Sequence, residues 1–270
     1  MNNIIQKYLF VIFLAFTYRI IAQNNTQDFI KYFENHEGAF VLFDNSGNKY
    51  FRINEERCSQ RVLPASTFKI PNSIIGLETG VIPDENFIIK WDKVERGNKG
   101  WDKDNSLATA IKYSVVPYYQ ELARCVGKEK MQKYLNDFDF GNKKIGERID
   151  TFWLDNSLKI SPDEQIEFLR KFYFYKLPVS KRNIDIIKNI MNFEKYSQSI
   201  LKYKTGGGQK EDGTWIGWLV GFIEKTSQNK SDVNDVYFFA LNVDGKSFEE
   251  ISELRMKAAK NIFKQLNLIE

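Results

Sequence analysis

The chain has 270 residues, of which 43% are hydrophobic, 15% aromatic and 27% charged, and its formal net charge at pH 7 is +4. This composition is typical of a globular protein and excludes a disordered or fibrous chain. The sequence has no block of five or six basic residues, so we expect no nucleic-acid or other polyanionic partner. One histidine, His36, and two cysteines, Cys58 and Cys125, do not form a zinc-ligand pattern, and no metal site is predicted. We expect two separate buried thiols, although the sequence leaves a disulfide open.

The first 22 residues differ from the rest of the chain. Lys7 precedes a largely apolar run of 11 residues, Tyr8–Tyr18, and Ala22 is a small residue suited to cleavage. Such a run is too short to cross a bilayer, which requires about 20 apolar residues. Residues 1–22 are therefore predicted to be a secretory signal, so that residues 23–270 cross the inner membrane to the periplasm without stable membrane association. The cleavage site is imperfect, and a retained anchor stays open.

The predicted elements place strands at both ends of the mature chain and helices between them. A short helix, NTQDFIKYFENH, precedes a hairpin, GAFVLFDNSGNKYFRIN, with an Asn-Ser-Gly-Asn turn. From about Ser66 to Phe193 the apolar residues repeat with a helical period, and Ser161 to Glu164 form a capping box with proline at the first helical position. Strands return in SILKYKTGG, TWIGWLVGFIEKT and DVYFFALNVDG, and FEEISELRMKAAKNIFKQL is predicted to be the last helix.

This order predicts an α+β fold of the α/β sandwich type. The N- and C-terminal segments would form an antiparallel sheet flanked by terminal helices, and a helical subdomain, roughly residues 66–195, would be inserted between them. The mature chain, residues 23–270, would then be a single catalytic domain. A ligand-binding cleft is expected where the helical subdomain meets the sheet.

Four Ser-x-x-Lys pairs occur in the chain: Ser46/Lys49, Ser66/Lys69, Ser199/Lys202 and Ser227/Lys230. Only Ser66 and Lys69 stand at the start of an apolar helix, where their spacing places both side chains on one face. Desolvation there would lower the lysine pKa from about 10.4, and a neutral amine can accept the proton of a serine hydroxyl. In the alternative interpretation, Ser66 only caps the helix and Lys69 extends to water.

Two later motifs favour the chemical interpretation. Ser114 lies in YSVVP, and Lys204 begins KTGGG at the end of a predicted strand. Ser-x-x-Lys, then Ser-Val-Val, then Lys-Thr-Gly, in this order, resembles the penicillin-recognising serine acyltransferases. The segments LPASTFKIPNSIIGLE, YSVVPYYQELAR, FGN, FWLDNSLKIS and KTGGGQKEDGTWIGWLVGFIE together resemble a class D β-lactamase, an oxacillinase-type enzyme, from about Gly38 to Leu266.

The resemblance implies a mechanism without histidine. Ser66 would attack the β-lactam carbonyl carbon, and Lys69 would carry a carboxyl group derived from CO2 or bicarbonate (N6-carboxylysine) that acts as general base. No other cofactor is implied. The indole N–H of Trp153 would bind this carbamate, because a buried anion needs a donor, and Val116 and Leu154 would form apolar walls.

The remaining chemical roles follow from the same resemblance. Ser114 would pass a proton to the lactam nitrogen, with Lys204 as a nearby fixed positive charge. The backbone N–H groups of Ser66 and Gly207 would form the oxyanion hole.

The substrate carboxylate is assigned to the last strand motif and the last helix. Thr205, Gly206 and Arg255 would bind the substrate, and the planar guanidinium suits a carboxylate. Arg255 rests on ELRMKAAKNIFKQL matching the family's last helix, and the alternative is a surface arginine. The family often has Tyr-Gly-Asn where this chain has Phe140-Gly141-Asn142, so Phe140 is not assigned to catalysis.

Three functions are compatible with these motifs. The leading one is hydrolysis of small-molecule β-lactams through an acyl-enzyme. The alternatives are a β-lactam sensor that stays acylated, which normally hangs from a multi-spanning membrane region, and a peptidase acting on D-alanyl peptides. A lone His36 and the lack of Gly-x-Ser-x-Gly weigh against a histidine-dependent esterase or protease. The sequence leaves the preferred antibiotics and a homodimer open.

Overall fold

The structure is a computed structural model that describes residues 27–226 and 233–270. The predicted signal, residues 1–22, and the Ser227/Lys230 pair therefore lie outside the described residues. In the two described ranges, no helix is both long and apolar enough to cross a membrane.

The described chain contains eight strands: β1 Gly38–Asp44, β2 Lys49–Ile53, β3 Ile88–Ile89, β4 Asn105–Ser106, β5 Asn192–Lys195, β6 Ser199–Gln209, β7 Trp215–Thr226 and β8 Val233–Gly245. Six of them form one antiparallel sheet in the order β2-β1-β8-β7-β6-β5, and β3 pairs with β4 separately. The N-terminal hairpin thus joins the C-terminal strands at β8, which confirms the predicted sheet.

Nine α-helices lie in the described ranges: α1 Gln27–Ile30, α2 Glu55–Ser59, α3 Lys69–Glu78, α4 Leu107–Lys112, α5 Val116–Val126, α6 Lys128–Phe138, α7 Pro162–Tyr173, α8 Lys181–Ile190 and α9 Phe248–Gln265. Helices α3 to α8 follow one another between β2 and β5, as the predicted insertion requires. Helix α7 begins at the predicted capping box: Ser161 Oγ accepts a hydrogen bond from the Glu164 N–H at 3.2 Å, and Glu164 Oε2 accepts one from the Ser161 N–H at 2.9 Å.

The helical region ends earlier than the sequence indicates. It stops at Ile190, and β5 pairs with β6, with Asn192 opposite Tyr203 and Lys195 opposite Ile200. The predicted boundary at 195 includes this edge strand because four residues are too few to show a strand period next to a strongly amphipathic helix.

The sheet has an apolar layer on each face. Along β7, Trp218, Val220 and Phe222 pack with the helical region, whereas Leu219 and Ile223 pack with α1 and α9. This alternation follows from the two-residue period of a strand, since both faces are covered. The cleft between sheet and helical region is therefore built on a rigid, doubly covered sheet.

The two cysteines are separate free thiols, as predicted. Cys58 is buried, and burial raises the pKa of its thiol to about 12. The predicted burial of Cys125 is wrong: it lies on an exposed face of α5 beside Arg124. In the part of the chain that the structure describes, no group of three or more His, Cys, Asp or Glu side chains could hold a metal ion.

Candidate active site

The Ser66–Lys69 pair lies at the junction of a 3₁₀ helix, Ala65–Phe68, with α3. The two helical segments are continuous, so residues three apart face the same way. Lys69 Nζ lies 2.8 Å from Ser66 Oγ and donates a hydrogen bond to it. Ala65, directly before the serine, has a φ of +48°, a conformation that stores strain in a residue with a side chain. Its N–H donates a hydrogen bond to the carbonyl of Trp153 at 3.1 Å, which holds this turn against the segment that contains Trp153.

Lys69 is fully buried, and this burial lowers the pKa of its ammonium group from 10.5 to about 7. Desolvation is the cause, because removing water penalises the charged form. The Tyr119 ring lies 5.2 Å from Nζ. Burial therefore favours the neutral, nucleophilic form of this amine over the ammonium form. The alternative interpretation, in which Lys69 extends to water, is wrong.

Trp153 supplies a buried donor without an acceptor. Its side chain is fully buried and stacks on Phe68, with ring centroids 5.6 Å apart and an interplanar angle of 26°. The indole Nε1–H has no hydrogen-bond partner among the described residues. Since nearly all buried donors are paired, this N–H is available to an acceptor that the described residues do not supply.

Ser114 and Lys204 form a second polar pair. Ser114 lies between α4 and α5 with a φ of +55°, and Lys204 lies on β6. Lys204 Nζ donates to Ser114 Oγ at 3.0 Å and to the Thr205 carbonyl at 2.8 Å. Burial, followed by the positive charges of Lys69 and Arg255, holds the pKa of Lys204 well below its usual value. An anionic ligand beside Lys204 would therefore favour its charged form.

Glycines allow β6 to approach the nucleophile. A Cβ on Gly206 would lie 3.0 Å from the Pro64 carbonyl oxygen and 3.2 Å from the Thr67 backbone nitrogen. Only glycine permits this backbone contact without displacement. The strand carrying Lys204 and Gly207 therefore lies directly against the turn that carries Ser66.

Helix α9 also packs closely on the sheet. A Cβ on Gly217 of β7 would lie 2.9 Å from the carbonyl oxygen of Ile251, and one on Gly245 would lie 2.6 Å from Ile251 Cγ2. The close approach lets Arg255 Nη1 donate a hydrogen bond to the Gly206 carbonyl. Arg255 is only 8% exposed, so the surface-arginine alternative is wrong, and burial lowers its pKa to about 10. Its Nε has no partner among the described residues.

These elements enclose a cavity of about 210 Å³. Eight predicted site residues line it: Ser66, Ser114, Val116, Leu154, Thr205, Gly206, Gly207 and Arg255. The other three, Lys69, Trp153 and Lys204, are buried and contact residues that line the cavity or lie next to them along the chain. The structure therefore brings the predicted residues into one region, while their chemical roles remain predictions.

Four residues that the sequence analysis did not indicate also line the cavity: Asn98, Trp101, Tyr113 and Phe248. Trp101 lies in the irregular segment before β4, and its Nε1 donates to the Tyr113 carbonyl at 3.1 Å. A tryptophan within the polar stretch GNKGWDKDN was the one available signal, because aromatic residues in polar loops are common in binding sites.

Phe140 and His36, which the sequence analysis did not assign to catalysis, make contacts outside the cavity. Phe140 is fully buried, with its ring centroid 5.6 Å from Phe68 and 5.1 Å from Phe168. His36 is hydrogen-bonded to the Phe33 carbonyl and to Glu250 Oε1, each at 3.0 Å. Neither lines the cavity.

Comparison with known proteins gives a consistent assignment. The family described as "Penicillin binding protein transpeptidase domain" matches residues 10–268. The chain is 42% identical to β-lactamase OXA-48 of Klebsiella pneumoniae, over 86% of this chain and 84% of that protein. It is 43% identical to β-lactamase OXA-5 of Pseudomonas aeruginosa, with 89% of each covered. The crystal structure of FUS-1 (OXA-85), a class D β-lactamase from Fusobacterium nucleatum subsp. polymorphum, superposes with a TM-score of 0.84 at 38% identity, over 92% of this chain and 100% of that chain.

The fold, the buried serine–lysine pair and these matches define a penicillin-recognising serine acyltransferase. Within that class, the chain belongs to the class D β-lactamases and is a serine β-lactamase. The predicted family and fold are thereby confirmed. A weaker relative, the regulatory protein BlaR1 of Bacillus licheniformis, is 32% identical over 77% of this chain, which covers only 33% of that protein.

Proposed function

We propose that the protein hydrolyses β-lactam antibiotics through an acyl-enzyme on Ser66, and that Lys69 serves as general base in an N-carboxylated form. The observation that carries the proposal is the position of a fully buried amine, with a pKa of about 7, at 2.8 Å from the serine hydroxyl. The amine takes the place of the histidine found in other serine hydrolases.

The surroundings of Lys69 suit a carbamate. A neutral amine adds to the carbon of CO2 through its nitrogen lone pair, and the product loses one proton from nitrogen to the solvent. When bound, the carboxyl group supplies an anionic base for the proton of Ser66 Oγ and for a hydrolytic water. The unpartnered indole N–H of Trp153 is the donor available to hold it, and a buried anion is stable only with such a partner.

Acylation requires a nucleophile, an anion-binding site and a proton donor. Ser66 Oγ forms a bond to the lactam carbonyl carbon, and the carbon–nitrogen bond of the ring breaks. The N–H groups of Ser66 and Gly207 stabilise the transient oxyanion, where each donor contributes about 3–4 kcal/mol in comparable enzymes. Ser114 Oγ passes its proton to the departing nitrogen and regains the proton that the base took from Ser66, while Lys204 Nζ donates a hydrogen bond to this hydroxyl.

The substrate carboxylate is expected at the other end of the cavity. Thr205 and Arg255 line the cavity, and Arg255 keeps an unpartnered Nε. No Asp or Glu occurs among the residues that line the cavity, so the only charged side chain in this lining, Arg255, attracts a carboxylate. An anion bound there would favour the charged forms of Arg255 and Lys204.

The second candidate is a sensor that becomes acylated and is not hydrolysed. The likeness to BlaR1 favours it, but that identity is lower and covers a third of the regulatory protein. The OXA enzymes match at 42–43% over more than four fifths of their length, which favours the enzyme.

Turnover separates the two functions. Residues 23–270 would be mixed with a chromogenic cephalosporin, with and without bicarbonate, beside Ser66→Ala and Lys69→Ala variants. We expect many turnovers per molecule, stimulated by bicarbonate and abolished in both variants. A single stoichiometric burst, with an adduct on Ser66 that persists in the mass spectrum, would establish the sensor instead.

We also propose that residues 1–22 direct export and are removed, so that the enzyme acts outside the inner membrane. Its relatives are bacterial β-lactamases, and the charge pattern of the segment supports cleavage. N-terminal sequencing of protein from a periplasmic extract should begin at residue 23. Recovery of the uncut chain in the membrane fraction would indicate a retained anchor.

A further inference from the structure

Phe248 lies directly on Gly207. A Cβ built on Gly207 would be 2.7 Å from Phe248 Cε2 and 3.2 Å from Ile251 Cδ1. The first distance is far below a normal carbon–carbon contact, so the ring occupies the space that a side chain on residue 207 would fill. The two residues are complementary in size: Phe248 of α9 places its ring where Gly207 of β6 has no side chain.

Phe248 is also poised to contact a ligand. It is the first residue of α9, it is 45% exposed, and it lines the cavity together with Ser66 and Arg255. Its ring makes an edge contact with Trp215, with centroids 5.8 Å apart and an interplanar angle of 70°. An aromatic ring that is half exposed at a cavity offers apolar surface at low entropic cost.

The structure of a bicyclic β-lactam determines which of its substituents would contact Phe248. This step rests on the proposed function, which places the lactam carbonyl at Ser66 and Gly207 and the carboxylate at Arg255. The carboxylate sits on the fused ring, next to the lactam nitrogen, and the neighbouring ring carbon carries a variable substituent. Phe248 lies on Gly207 and shares the cavity with Arg255, so that substituent is directed towards Phe248. The acylamino side chain projects from the opposite side of the four-membered ring.

We propose that Phe248 determines specificity for the substituent next to the substrate carboxylate. Its ring packs against small uncharged groups, such as the paired methyl groups of penicillins or a 3-methyl group of a cephalosporin. It disfavours bulky 3-substituents, because the ring fills the space beside Gly207 into which such a group would extend.

The test uses cephalosporins that share one 7-acylamino group and carry a methyl, an acetoxymethyl or a pyridiniomethyl group at carbon 3. For Phe248→Ala we expect the ratio of kcat/KM for the bulky substrate to that for the methyl substrate to rise by roughly 10-fold or more, which is the usual scale of a steric pocket contact. Phe248→Leu should give an intermediate ratio. Phe193→Ala removes another exposed phenylalanine, 63% exposed on the edge strand β5, and should leave the ratio unchanged.

A double-mutant cycle tests the contact itself. Gly207→Ala should lower kcat/KM strongly in the native background, because its Cβ meets the ring, and much less in the Phe248→Ala background. Equal losses in both backgrounds, or a lower kcat/KM with an unchanged substrate ratio in Phe248→Ala, would overturn the proposal. Failure of the unmodified enzyme to form a Ser66 adduct with benzylpenicillin would instead overturn the proposed function.

Discussion

Lys69 Nζ and Ser66 Oγ are 2.8 Å apart, and both side chains are shielded from solvent. The distance between the two atoms is short because the 3₁₀ helix that carries Ser66 continues directly into α3. Water is excluded from the pair because the surrounding helical region is apolar. Desolvation makes the amine reactive, but the same desolvation opposes folding.

Replacing Lys69 by methionine should abolish turnover and stabilise the protein. Methionine fills a similar volume without burying an ionisable group, so we expect the free energy of unfolding at pH 7, without bicarbonate, to rise by about 1–2 kcal/mol. Urea denaturation measures it. A Lys202→Met variant, which changes a partly exposed lysine on β6, is the matched control and should show no comparable gain. Destabilisation by Lys69→Met would contradict the idea that this lysine is kept for chemistry.

The pH dependence should follow the same group. The pKa of Lys69 is about 7 in the folded protein, whereas an unperturbed lysine, as in the unfolded chain, has a pKa of 10.5. Between these two values the unfolded chain binds more protons than the folded protein. The free energy of unfolding should therefore rise with pH in this window, and Lys69→Met should lack that part of the slope. kcat/KM should likewise rise as pH increases through about 7, because the neutral amine is required. A rate that falls across this range would rule out the neutral amine.

Trp153→Phe should raise the bicarbonate requirement. The change removes the indole N–H but keeps an aromatic ring against Phe68. Loss of one hydrogen bond to a charged group, worth about 1.5–3 kcal/mol, corresponds to a roughly 10- to 100-fold higher half-saturating bicarbonate concentration. Phe152→Leu disturbs packing against Trp153, at a ring separation of 5.1 Å, without removing a donor. If both variants shift the bicarbonate curve equally, packing and not the N–H is responsible.

Ser114 can be tested for chemistry and backbone strain at once. Ser114→Ala and Ser114→Gly both remove the hydroxyl that Lys204 binds, so both should slow acylation by about 10²–10⁴-fold. Only glycine adopts a φ of +55° without strain, so Ser114→Gly should be more stable than Ser114→Ala by about 1 kcal/mol. Stopped-flow acylation and thermal unfolding provide the two readouts. Normal acylation in either variant would remove Ser114 from the proton path.

Much of the fold could be predicted because its patterns are local. The apolar run of β7 and the capping box at Ser161 each depend on neighbouring residues, and both elements are present in the structure. Strand β5 could not be predicted, since its pairing with β6 is tertiary and its four residues carry no period. Burial of Cys125 was predicted wrongly, because the prediction followed residue type, whereas Cys125 lies outside the buried stripe of α5 formed by Tyr118, Tyr119, Leu122, Ala123 and Val126.

The candidate site likewise contains residues that the sequence could indicate and residues that only tertiary packing places there. Ser66, Ser114 and Lys204 stand in recognisable motifs, so the sequence alone indicated them. Phe248 has no motif, and its place in the cavity depends on how closely α9 approaches the sheet. The complementary glycine at 207 is visible in the sequence, but nothing there links it to a residue 41 positions later.

The pairing of β1 with β8 has a consequence for how the chain acquires its shape. Phe40 lies opposite Leu241, so the middle of the sheet joins segments separated by about two hundred positions. Nearly the whole polypeptide must be synthesised before β1 can pair with β8. Contacts between residues so far apart in the sequence form slowly. Thr205 of β6 and Arg255 of α9 line the cavity, so the catalytic pocket is complete only after these C-terminal segments have formed.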